Sequence, residues 1–449
     1  MDGLAVGDIR AAARGAWLFE QIVATGSLVL RRVGRTRAGE VAAHRYLASA
    51  HVTPQIIVSA FSARTAEACA GRRIVAAQDT TEINFSGRGR PAKGLGPAGD
   101  GVSAGFFIHP VLAVDAGSEA VLGLADAQIW TRGPERAPWR NRRPLAEKES
   151  GRWLKGAEAA AEVLKAAREV VVVSDQESDI YAHFARRPPS VHLLVRARHD
   201  RALEGEGAAG LFATLAAQPV LGTRAVRMAS RGPGDAGRLA TVALRSVRVR
   251  VARPASGEPC DPTVLDLGLV ESRELDPPPG VQPLHWRLAT TLPVDGEAAA
   301  AEVVDLYRLR WRIEEVFRTL KRDGLRLEDS QAQDVERLFR IAALGLGAAV
   351  RILQLVDARD GGSRPMSDVL DADLLEPAAA LGRSRQGATE RQKNPHPQGS
   401  LAWLAWIVAR YGGWNCYGKP PGPKTMAIGW QAFAANLSGY LLAITEADP

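Results

Sequence analysis

The stretch Glu169-Val170-Val171-Val172-Val173-Ser174-Asp175 decides the architecture. Four successive β-branched residues offer no polar alternate to turn toward water, so the segment reads as a strand covered on both faces. It ends on a carboxylate. Ahead of it, Ala146 to Arg168 carries helical spacing; behind it come a short helix over Ile180 to Arg186 and a further strand over Val191 to Ala197. Further upstream, Ile74-Val75-Ala76-Ala77-Gln78 is a second short apolar strand ending on a carboxylate, Asp79. A glycine-rich loop, Ser86 to Gly101, leads from it to two strand-like runs at hairpin distance, Phe106 to Asp115 and Val121 to Trp130. Three meander strands, then helix, strand, helix, strand, is the order of a ribonuclease-H-like α/β domain.

Outside that core the period changes. Residues 1–70 read as helical and alanine-rich, with the basic run Arg31 to Arg37 read as a solvated loop between helices and phosphate contact as its alternative. Between about 200 and 300 the chain looks like a β-rich insertion: Val247-Arg248-Val249-Arg250-Val251 alternates strictly, setting valines on one face and arginines on the other. A long helix is expected from near Glu297, and another over about 333–357. Residues 382–399 are polar with two prolines and read as a linker. The last fifty residues hold Trp403, Trp406, Trp414 and Trp430, which fit either a core or a partner interface. The expected division is a helical N-terminal region over 1–70, a ribonuclease-H-like domain carrying the β-rich insertion over 71–380 and a helical C-terminal region over 381–449.

The 449 residues are 46% hydrophobic and 24% charged, an ordinary globular composition. The formal charge of +7 admits nucleic acid as a partner and equally fits an arginine- and alanine-rich chain with no such partner. Cys69, Cys260 and Cys416 have neither metal-site spacing nor an even count for a disulfide framework, which points to the cytoplasm. No secretory segment is read at the N-terminus, and no apolar run is read as a membrane span.

Asp favours turns and caps, so either Asp79 or Asp175 alone fits loop chemistry. On neighbouring strands of one sheet, the two could share a hard cation. The 307–321 segment carries more. Tyr307, Arg310, Glu314 and Lys321 are spaced 3, 4 and 7 apart, and at about 100° per residue they fall within roughly 60° of one another on a helix. Leu306, Leu309, Ile313, Val316 and Leu320 supply the opposite, buried side. The stripe fits an exposed salt-bridged face. It also fits phosphoryl transfer, with a carboxylate for metal and a phenol and two cations for phosphate.

On these residues the chain resembles the DDE transposases of insertion-sequence family four. Asp79-Thr80-Thr81-Glu82, Glu147-Lys-Glu-Ser-Gly-Arg-Trp153 and Ser174-Asp175-Gln-Glu177-Ser-Asp179 are similar to family segments. Tyr307, Arg310, Glu314 and Lys321 match the family's Y-R-E-K signature at every spacing, and Gly399 to Trp403 and Ala409 to Gly413 are also similar. The resemblance implies that Asp79, Asp175 and Glu314 bind two Mg²⁺ ions, with Mn²⁺ able to substitute, for in-line displacement at DNA phosphorus. It implies that Tyr307, Arg310 and Lys321 grip phosphates, and that relatives nick one strand, form and resolve a hairpin, and join the 3′-hydroxyl ends to target DNA. Trp286 stands 21 residues before Tyr307, where relatives stack a flipped base, an interaction of roughly 1–3 kcal/mol. Arg196, Arg198, His199 and Arg201 resemble a basic patch contacting the transposon end, although a solvated strand edge fits them too. Glu177 and Asp179 read as supports rather than direct ligands. The partners implied are double-stranded DNA and a second copy of the chain in a synaptic complex.

Gly7 to Arg14 resembles a segment that relatives place after an additional N-terminal stretch used in recognising transposon ends. Two further readings stay open: a truncated or domesticated non-catalytic relative that binds DNA or dimerises as an inhibitor, and a metal-dependent nuclease without strand joining.

Overall fold

A computed structural model describes residues 9–85, 92–133, 144–205, 209–228 and 237–447. The N-terminal part of the Gly7 to Arg14 segment and part of the glycine-rich loop lie outside the described residues. Four helices come first: α1 (Ile9–Thr25), α2 (Leu30–Gly34), α3 (Arg37–Ala48) and α4 (Pro54–Cys69). The basic run read as a loop is largely helical. Arg31 and Arg32 lie exposed on α2, and Thr36 caps α3 by accepting a hydrogen bond from the Gly39 amide.

The decisive strand falls where its valines put it. β1 (Arg73–Gln78) runs parallel to β6 (Glu169–Ser174), which runs parallel to β7 (His192–Arg196). On the other side of β1 lies the antiparallel β4 (Ala104–Asp115), which pairs with β5 (Val121–Trp130). The order β5-β4-β1-β6-β7, antiparallel where the meander turns and parallel across helices, is compatible with a ribonuclease-H-like fold. Val171 and Val173 pack into a core shared with the helices of one face. Val170 and Val172 pack into a second core with Ala157 and Ala160 of α5 (Arg152–Val163) and with Tyr181 and Phe184 of α6 (Tyr181–Arg186). Two short strands that the sequence pattern did not reveal, β2 (Thr81–Asn84) and β3 (Gly96–Pro97), also pair with β4.

The β-rich segment continues this sheet. After α7 (Leu211–Ala216) come β8 (Gly222–Met228), β9 (Arg238–Ala252), β10 (Val264–Glu274) and β11 (His285–Thr290), and β11 hydrogen-bonds antiparallel to β7. The sheet therefore runs β2-β4-β1-β6-β7-β11-β10-β9-β8. Val249 and Val251 are buried while Arg248 and Arg250 face outward, as strict alternation requires.

The expected long helix is broken. α8 (Gly296–Arg308) gives way to one 3₁₀ turn at 309–311, then α9 (Arg312–Arg318), then a π turn at 319–323. Each change of pitch re-aims the following side chains. α10 (Val335–Ala358) is long and apolar enough to span a membrane, contrary to the reading of no such run, but its apolar stretch is 94% buried. It is the helix around which the others pack. The chain ends in α11 (Leu375–Arg383), α12 (Leu401–Tyr411) and α13 (Pro423–Ala447). The 382–399 stretch, read as a linker, lies against α12, with Asn394 donating to the Trp403 carbonyl at 3.0 Å and Arg385 over the Tyr411 ring. Trp403, Trp406 and Trp430 are buried core residues.

Candidate active site

β1 and β6 are paired from Arg73↔Glu169 to Ala77↔Val173. Continuing the same offset sets Asp79 level with Asp175, on adjacent strands whose usual separation is about 4.8 Å. Both residues leave the C-terminal ends of parallel strands, where open α/β sheets place their functional loops. Asp79 Oδ1 accepts from the Thr80 amide at 2.7 Å, and Asp175 Oδ1 accepts from the Glu177 amide at 2.9 Å. Each thus keeps one oxygen tied to its own turn.

The broken helix brings the third carboxylate. Arg310, in the 3₁₀ turn, donates from Nη1 to Asp79 Oδ2 at 2.5 Å, and the same nitrogen lies 3.6 Å from Glu314 Oε1. The guanidinium sits between the first and third acids. It is largely buried, and although burial opposes its charge, the carboxylates of Asp79, Glu314 and Asp175 hold its pKa above the usual arginine value. Asp79 responds in the opposite sense. Burial pushes its pKa up to about 7; Arg310 opposes the rise, and the negative charges of Asp175 and Glu314 add to it. Asp79 therefore senses the charge of both other acids. Among the described residues, no group of three or more His, Cys, Asp or Glu side chains is gathered as a ready metal cage. The donor set is still all-carboxylate, the chemistry that hard divalent cations take, and Arg310 is its present counter-ion.

The remaining signature residues line the surroundings. Tyr307 is buried, its ring edge-on to Trp286 with centroids 5.1 Å apart. Both line a cleft of about 550 Å³ together with Arg196, Arg238, Arg310 and Arg312. Lys321, on the π turn, donates to the Glu82 carbonyl at 2.8 Å, which places it beside β2, the strand that follows Asp79. The basic patch divides. Arg196 lines the cleft, and Arg198 and His199 are exposed beyond it. The Arg201 guanidinium is committed to Asp179, with bonds of 2.6 Å and 2.7 Å to its side chain and carbonyl. Asp179 also accepts from the Arg198 and His199 amides, so it organises this loop.

Several residues at the site carried no signal of their own in the sequence. His109 and Gln78 are fully buried on β4 and β1 directly behind Asp79. Arg152 donates from Nε to Thr80 Oγ1 and from Nη2 to Glu177 Oε2, both at 2.9 Å. A lone histidine in a strand and an arginine at a helix start are unremarkable until folding brings them together. Arg152 lay inside a motif segment, the only pointer available.

Residues 134–350 match the family model described as the transposase DDE domain. That span contains Asp175, Trp286 and the whole Tyr307 to Lys321 signature, and Asp79 precedes it. Over the part of the chain that supplies two of the three clustered acids, this protein is similar to DDE transposases, and the match supports a transposase function.

Proposed function

We propose that the chain is a cut-and-paste DNA transposase of insertion-sequence family four. The observation that carries this reading is the convergence of Asp79, Asp175 and Glu314 on one electrostatic site, beside a cleft lined by Trp286, Tyr307, Arg310 and Arg196. Asp79, Asp175 and Glu314 are the residues that would hold divalent metal, Mg²⁺ with Mn²⁺ as substitute. When bound, such ions supply Lewis-acid activation and charge stabilisation for in-line displacement at phosphorus. The chain's own side chains do the rest. Arg310 is poised to exchange the Asp79 carboxylate for a phosphate oxygen, since a guanidinium fork takes either acceptor. Lys321 extends the positive edge on the other side of the Asp79 loop. Tyr307 meets the Trp286 ring edge-on, and Trp286, which lines the cleft, offers a stacking platform for a base pulled out of the bent transposon end.

The partners in this reading are DNA and a second copy of the chain. The basic outer face of β9 supplies Arg248 to the former. For the latter, Ile428 and Leu442 stand 45% and 66% exposed on one side of α13, about four turns apart, and suit a dimer contact.

Glu314→Ala tests the reading. Mg²⁺-dependent nicking at the transposon ends is expected to fall more than ~100-fold, beyond the cost of losing a supporting contact, while end binding by mobility shift persists. Unchanged cleavage would refute the assignment. Trp286→Ala is expected to slow hairpin formation more than the first nick in a single-turnover time course; equal slowing of both steps removes the stacking role.

A further inference from the structure

The turns that follow Asp79 and Asp175 are joined by one side chain. Arg152 begins α5, and its guanidinium reaches in three directions. Nε donates to Thr80 Oγ1 at 2.9 Å, one residue past Asp79. Nη2 donates to Glu177 Oε2 at 2.9 Å, two residues past Asp175. Nη1 donates to the Glu149 carbonyl at 3.0 Å, which ties the fork to its own helix start. The guanidinium carbon lies 4.9 Å from the Trp153 ring centroid and 5.9 Å from that of Trp130, so aromatic rings confine the planar group as well.

Behind Thr80 the hydrogen bonds form a directed loop. Thr80 Oγ1 accepts from Arg152, so its own proton is free for His109 Nδ1, 2.9 Å away. His109 Nε2 then carries the ring hydrogen and meets Gln78 Oε1 at 3.1 Å. The Gln78 amide nitrogen donates to the Trp153 carbonyl at 3.2 Å, one residue from where the loop started. The Trp153 ring closes edge-on over His109, with centroids 4.6 Å apart. Gln78 and His109 are wholly buried, so neither can replace its partner with water. Only one imidazole tautomer and one orientation of the Thr80 hydroxyl satisfy every member.

We propose that Arg152 is a positioning residue that sets the separation of Asp79 and Asp175, acting through Thr80 on one side and Glu177 on the other. The loop through His109 and Gln78 fixes the end of that strut from within. This role rests on the transposase reading, because spacing between the two acids matters only if they share a cation. A plain surface ion pair does not account for the arrangement. The Glu177 end is largely exposed, where a salt bridge adds little to stability, yet the other end is locked into a buried loop. A lysine at this position could reach one of the two turns and not both.

The test compares the wild-type chain with Arg152→Gln, Arg152→Lys and Glu177→Gln. Mn²⁺ binding is read by electron paramagnetic resonance, and Mn²⁺-dependent nicking of supercoiled plasmid is read alongside. Arg152→Gln is expected to raise the Mn²⁺ midpoint about tenfold or more in both readouts, the range seen when partners of metal ligands are removed. Glu177→Gln shifts it in the same direction by less, and Arg152→Lys recovers part of the loss. Non-specific DNA binding stays unchanged in all three. Midpoints for Arg152→Gln and Glu177→Gln equal to wild type overturn the strut while leaving the transposase reading intact. If Arg152→Gln fails to fold, Glu177→Gln, altered at an exposed group, decides alone. A wild-type chain that neither binds Mn²⁺ nor nicks plasmid overturns the transposase reading, and the strut with it.

Discussion

Asp79 is pulled in opposite directions. Its side chain is mostly buried, faces two other acids, and is answered by one guanidinium, and burial leaves its pKa at about 7 against 3.8 for the free group. The sign follows directly. Between those two values the folded chain holds a proton that the unfolded chain releases, so this group's contribution to stability declines as pH rises through that window. A cation arriving at the site must also displace the proton. The Mn²⁺ midpoint measured at pH 6 is therefore expected to lie about tenfold above that at pH 8, and a flat profile would place the titration elsewhere. The pair of aspartates was legible in the sequence because each ends a run that can only be strand. Thr80 and His109 were not, since their importance comes from a hydrogen-bond loop between β1 and β4 that no local pattern records.

Elements obey the same division. β6 announces itself through four valines, and both of its faces prove to be buried. β2, Thr-Glu-Ile-Asn, is too short and too polar to stand out, and pairing with β4 makes it a strand. The 307–321 segment has the periodicity of one helix but changes pitch twice. Its five apolar residues still face the core, which is why the periodicity looked continuous. At the far end, α12 and α13 cross with almost no gap. A Cβ on Gly429 would lie 1.9 Å from the Val408 carbonyl oxygen, and one on Gly412 would lie 2.2 Å from that of Thr425. Backbone cannot give way as a flexible side chain can. Gly429→Ala is expected to cost about 1–3 kcal/mol of stability by overpacking, read as a lowered denaturant midpoint. A midpoint equal to wild type would mean the two helices part easily.

For the molecule as a whole, one hydrophobic core reaches from α1 through the sheet to α13, so the helical ends share the central domain's interior. The second core, on the opposite face of the sheet, sits close to His183. That side chain is fully buried, and burial lowers its pKa to about 4 from 6.5. Buried His109 is lowered in the same sense. Both stay neutral in the folded chain while the unfolded chain takes up protons, so stability present above pH 6.5 is lost as pH falls toward 4. For His183 the loss is on the order of 3 kcal/mol. Asp79 runs the opposite way over the same range, so the test is a difference: in urea unfolding between pH 7.5 and pH 5, wild type is expected to lose about 2 kcal/mol more than His183→Phe, and equal pH dependence in the two would contradict the assignment. The sheet itself carries a mechanical consequence. β9 is fifteen residues long and is matched to β10 through eleven consecutive pairs, β10 to β11 through six, and β11 to β7 through three. A strand so laced cannot slip by one place without turning its inward side chains out. Load applied at the outermost edge is therefore shared along the sheet as far as β11, the strand that carries Trp286, and the three-pair seam to β7 is the narrowest link beyond it.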